Sequence, residues 1–132
     1  MAEISARKIV EGGLAESLSG CATGGDEFAN TGIEFLHIVN DHASVGYTIS
    51  VTAQTTSIRH SGYGLLTKAN QTVAVAAGAE AFMGPFRQSA FNNADNKVQV
   101  TYTVTSSSGA LSTIGGAGTH LLKIEVLYLD QT

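Results

Sequence analysis

The sequence predicts an all-β fold: an antiparallel β-sandwich or jelly-roll-like barrel preceded by an extended N-terminal arm. Three observations predict it. Residues 98–104 place Val98, Val100, Tyr102 and Val104 on one side and Gln99, Thr101 and Thr103 on the other, which is the two-residue period of a half-buried strand. Residues 33–39 and 121–129 are apolar on both sides, as central strands covered on two faces are. Clusters of Gly, Asn, Asp and Ser interrupt the chain at short intervals, and no long stretch has a helical period.

Taken in order, residues 1–25 form the arm. Its apolar residues Ile4, Ile9, Val10, Leu14 and Leu18 favour docking over free disorder, while Gly12-Gly13 limits it to one short helical turn at most. Such an arm rests on its own domain or reaches a neighbour, and the expectation is that it orders across a subunit boundary or on a larger particle. Residues 26–132 form a single β domain. Residues 26–32 read as a turn-rich opening, followed by the strand at 33–39 and a turn at 40–46. Residues 47–53 alternate, with Tyr47, Ile49, Val51 and Ala53 facing one way. Residues 58–64 read as a loop and 65–75 as a weak strand with a kink at Asn70-Gln71. Glu80-Ala81-Phe82-Met83 reads as a strand ended by Gly84-Pro85-Phe86, since the single proline cannot donate to a sheet ladder. In the loop at 91–96, Asn and Asp side chains can bond the nearby backbone. Residues 106–118 read as a flexible Gly/Ser-rich loop, and 121–129 close the domain.

The 132 residues are enough for one core without a metal or disulfide. Charged residues make up 14%, well below the common value of about 25%. A surface so poor in charge is easier to desolvate against a partner. The net charge is −4, and the basic residues are scattered, so no stripe exists to neutralise phosphates and direct nucleic-acid binding is not expected. Cys21 is the single cysteine, so no internal disulfide can form. No apolar run is long enough to span a membrane as a helix, and the first residues show no secretory pattern.

Chemistry-bearing patterns are sparse. His37 sits mid-strand among apolar neighbours, where a hydrogen-bonded core or interface histidine is the expected role. His42, His60 and His120 lie in or beside loops, and no two histidines stand at a local metal-binding spacing. Residues 92–96 lack the spaced carboxylates and final Glu of a calcium loop. The glycine pairs lack the strand–loop–helix setting of a phosphate cradle. Cys21 has no neighbouring base, and no nucleophile elbow is present. No catalytic residue, metal or cofactor is expected, and the chain is read as a non-enzyme.

Gly25-Asp26-Glu27-Phe28-Ala29-Asn30-Thr31-Gly32, then Phe35-Leu36-His37-Ile38-Val39-Asn40, resembles the opening of small structural proteins of tailed bacteriophages. Ala77-Gly78-Ala79-Glu80, Gly84-Pro85-Phe86, Phe91-Asn92 and Val98-Gln99-Val100-Thr101-Tyr102 look like the second half of the same pattern. The resemblance covers residues 25–105; residues 63–70 follow no part of it, and 106–118 are longer than a simple hairpin needs. It implies a virion structural protein, first of all a head decoration (cement) protein. Such a protein would be assembled in the host cytoplasm and sit on the capsid surface as a homotrimer bound to the major capsid protein. Alternatives are a head–tail connector, a tail or fibre-associated protein, and, more distantly, a carbohydrate-binding sandwich. The residues expected to face a partner are Ile4, Ile9, Val10, Leu14, Leu18 and His37.

Overall fold

The computed structural model describes residues 2–22, 24–42, 45–54, 57–60, 62, 64–105 and 122–129, with the backbone alone for 57–60 and 64–67. The loop expected at 106–118 and His120 lie outside the described residues. Two five-stranded sheets pack face to face as a sandwich, and they do not close into a barrel. In chain order the strands are β1 (Ala2–Glu3), β2 (Ala6–Ile9), β3 (Ser19–Gly20), β4 (Asp26–Ala29), β5 (Phe35–Asn40), β6 (Tyr47–Val51), β7 (Ser57–His60), β8 (Gly64–Thr67), β9 (Gln71–Val75), β10 (Glu80–Met83), β11 (Lys97–Val104) and β12 (Leu122–Leu129). A single helical turn, α1 (Gln88–Phe91), precedes β11.

Sheet A runs β1-β4-β11-β6-β9. Sheet B runs β10-β5-β12-β2, with β3 sharing the β12 edge beside β2. The alternating segments do what their period requires. Val98, Val100, Tyr102 and Val104 of β11 and Tyr47, Ile49 and Val51 of β6 point into the core against Leu36, Ile38, Ile124 and Val126 of sheet B. β5 and β12, apolar on both sides in the sequence, are the central strands of sheet B, paired from Leu122↔Asn40 to Leu127↔Phe35.

The arm departs from expectation. It is extended, as expected, but its described residues are ordered on its own body rather than awaiting a neighbour. β1 pairs in parallel with β4, and β2 in parallel with β12, so both sheets are mixed rather than purely antiparallel. Ser5 is the crossing point: one strand on either side of it completes each sheet. Ile4 and Ala6 pack against the core, and the Ile4 amide bonds the Glu27 carbonyl at 2.8 Å. Lys97 fixes β1 from the side, 2.9 Å from Glu3 and 3.7 Å from Glu27. An apolar residue every few positions is thus satisfied by the open flank between the two sheets.

Three further differences have local causes. Residues 26–29 form a strand because Asp26 is bonded within the fold: its carboxylate accepts from the Ala22 amide at 3.1 Å and from the Tyr102 hydroxyl at 2.6 Å. Ser57–His60 and Gly64–Thr67 pair as β7 and β8, so 58–60 are strand where the sequence predicts a loop. Residues 88–91 make one helical turn after the corner at 84–86. Asn30 holds that corner by donating to the Phe86 carbonyl and to Asn92 Oδ1. The Asn-rich loop behaves as expected, with Asn93 Oδ1 accepting from the Asp95 and Lys97 amides.

Candidate functional site

Strand alternation and register place one row of side chains across the outer face of sheet B. Phe82 on β10 is paired with His37 on β5, which is paired with Glu125 on β12. The Phe82 ring stacks on the imidazole, with centroids 4.6 Å apart and planes 8° from parallel. His37 Nδ1 donates to Glu125 Oε1 and Nε2 to Glu80 Oε1, each at 2.8 Å. Ionised carboxylates only accept hydrogen bonds, so an imidazole donating at both nitrogens is the protonated form. Burial works against that charge, but the bonds to Glu125 and then Glu80 outweigh it and raise the His37 pKa above its ordinary value.

The arm roofs the Glu125 end of the row. After β2 the chain turns at Gly12-Gly13 and returns to pair β3 with Lys123 and Ile124. The returning segment is held by polar contacts to the row. The Ser17 amide donates to Glu125 Oε2 at 3.1 Å, and Arg7 reaches both the Ala15 carbonyl at 2.9 Å and Glu125 at 3.7 Å. Glu125 is only 4% exposed, so its charge is matched from three directions, as a buried carboxylate requires. Between roof and sheet lies a cavity of about 240 Å³ bounded by Ile9, Leu14, Glu16, His37, Phe82 and Glu125, among others.

Of the six residues expected to face a partner, Ile9, Leu14 and His37 converge on this cavity. Val10 is 40% exposed, and Leu18 is half-buried. Ile4 is instead committed to the chain's own core. His37 is 6% exposed and bonded inside its own chain, which suits the hydrogen-bonded core role more than direct partner contact. Sequence reasoning missed Phe82 and Leu129, the most exposed large apolar side chains described, at 65% and 58%. By alternation along β12, Leu129 shares the outer face with Glu125 and Leu127, so both exposed residues lie on the face that carries the row. It also missed Glu80, Glu125 and Arg7. The one available signal was Glu125 itself, a lone acid in an apolar strand, which implies a buried partner.

Cys21 is fully buried, and its amide bonds the Leu122 carbonyl. Burial pushes its thiol up to about 12, so at neutral pH it is a protonated core residue. Among the described residues no helix is long and apolar enough to cross a membrane. Comparison with protein-family models, with curated proteins and with solved structures returns no match.

Proposed function

We propose that this protein is a non-enzymatic virion structural protein that works by docking the outer face of sheet B on a larger assembly. The first reading is a head decoration protein bound as a homotrimer to the major capsid protein on the capsid surface. One observation carries the docking reading: Phe82 and Leu129 are large apolar side chains left exposed on one face, and Leu14 of the arm lines the cavity on it. Scattered apolar residues on a surface are ordinary, but apolar residues gathered on one rigid sheet are what an interface core is made from. The low charge of the chain lowers the desolvation cost of such contact. The phage assignment rests on the resemblance across residues 25–105, and the sandwich is compatible with it. No nucleic acid, membrane or cofactor enters the proposal.

The test is the position of the protein on a purified particle. Trimers spread over the head support decoration. A ring at a single vertex supports the connector reading, and absence from the particle removes the virion assignment.

A further inference from the structure

The fold assembles beneath the arm a donor set that sequence spacing conceals. The carboxylates of Glu16 and Glu80 and a ring nitrogen of His37 each present one donor atom, and these atoms lie within 4.8 Å of one another. They come from the arm, β10 and β5. We propose that this trio binds a divalent transition ion of the zinc type, which pins the arm to sheet B.

Exposed acidic groups alone would not carry this, since they gather on many surfaces without binding anything. His37 sets this cluster apart. Its ring is fixed twice, by Glu125 at Nδ1 and by the stacked face of Phe82. A carboxylate on one imidazole nitrogen is the outer-shell contact that orients metal-binding histidines and raises their basicity. Here it leaves Nε2 facing Glu80, with the Glu16 carboxylate within 4.8 Å of the set. The donor chemistry also selects: one imidazole with carboxylates suits zinc and its first-row neighbours, whereas calcium and magnesium take oxygen ligands. The cavity of about 240 Å³ that Glu16 and His37 line leaves room for an ion with a bound solvent molecule as fourth ligand.

The geometry needs only modest closure. Zinc–donor bonds of about 2.0–2.2 Å put tetrahedral neighbours about 3.4 Å apart, so no donor pair needs to close by more than about 1.4 Å. Glu16 and Glu80 are both exposed, and their side chains can rotate to do this without backbone movement. On binding, the Nε2–H bond that now points at Glu80 breaks, the nitrogen lone pair goes to the ion, and the proton leaves to solvent. The consequence is mechanical: Glu16 is the one ligand from the arm, so the ion ties the segment after β2 to β5 and β10. The site stands independently of which particle, if any, the protein docks on.

Untagged protein stripped with chelator is titrated with zinc by calorimetry and with cobalt by visible absorption. The expected result is saturable binding of one ion per chain and a cobalt spectrum of nitrogen and oxygen ligation. Glu16→Gln weakens binding at least tenfold while leaving the unfolding of the metal-free protein unchanged, and Glu80→Gln weakens it at least tenfold with some loss of stability, because it also alters the acceptor of the His37 Nε2 bond. Glu125→Gln weakens it by about ten- to a hundredfold through the outer shell. His37→Gln abolishes it, and if that variant does not fold, the two exposed glutamates carry the test. Absence of saturable binding at millimolar zinc overturns the proposal, as does binding that Glu16→Gln and Glu80→Gln both leave intact.

Discussion

His37 and Glu125 occupy paired positions on the two central strands of sheet B and meet at 2.8 Å, both almost fully buried. Glu125 turns from this contact to the arm, where it accepts from the Ser17 amide. One carboxylate thus joins the sheet to the segment that roofs it.

Glu125→Ala removes the acceptor of both contacts and leaves the imidazolium with Glu80 as its remaining partner. Breaking a buried ion pair from one side costs about 3 kcal/mol or more. Glu125→Gln keeps an acceptor oxygen and costs about 1 kcal/mol. Urea unfolding should rank the variants in that order. Amide exchange at Ser17 should quicken in the alanine variant beyond what its lower global stability explains.

Gly84 sits at φ +114°, and a Cβ there would stand 3.0 Å from the Phe86 ring, 3.1 Å from the Phe35 Cα and 3.2 Å from the Glu34 carbonyl oxygen. Two of those three neighbours are backbone and cannot swing away. Gly84→Ala is expected to cost about 2 kcal/mol or more in thermal or urea unfolding. Gly12→Ala, where a Cβ meets nothing within 4 Å, should stay within about 0.5 kcal/mol of the wild type.

Glu34 sets an acid limit on stability. Burial alone would raise its pKa, but bonds from the Thr31 hydroxyl at 2.7 Å, the Thr31 amide at 2.8 Å and the Ile33 amide at 3.3 Å hold it below the ordinary value. A carboxyl whose folded pKa lies below its unfolded one contributes stability that is complete above the unfolded value. That contribution is lost as the pH falls through the folded value. Unfolding free energy should therefore drop as the pH is taken from about 5 downward. Glu34→Gln should be less stable than the wild type at neutral pH and show a shallower fall in acid; an equally steep fall would assign that acid sensitivity to other groups.

Residues 47–53 and 98–104 disclose their strands because alternation is a local property, and β5 and β12 disclose their central position because both faces are apolar. The arm does not disclose its strands, since β2 and β3 pair with β12 more than a hundred residues away, and Gly12-Gly13 masks the reversal that returns the chain. Asp26 made β4 look like a turn, because only the folded Tyr102 hydroxyl makes a strand aspartate acceptable there. The same limit hid the row around His37. Its partners stand 43 and 88 residues distant, and register alone brings them together. The site residues foreseen from apolarity converged in part, with Ile9 and Leu14 on one cavity and Ile4 in the core.

The docking proposed for the outer face of sheet B is measured by co-sedimentation with undecorated heads built from the major capsid protein proposed as the partner. Wild-type protein is compared with a Phe82→Asp, Leu129→Asp double variant whose unfolding midpoint is checked first. Both side chains are exposed and Leu129 is at the strand end, so the variant should fold. The account predicts saturable binding of the wild type and at least a tenfold loss for the variant. Wild-type binding that the double variant retains in full, or no wild-type binding at all, would contradict it.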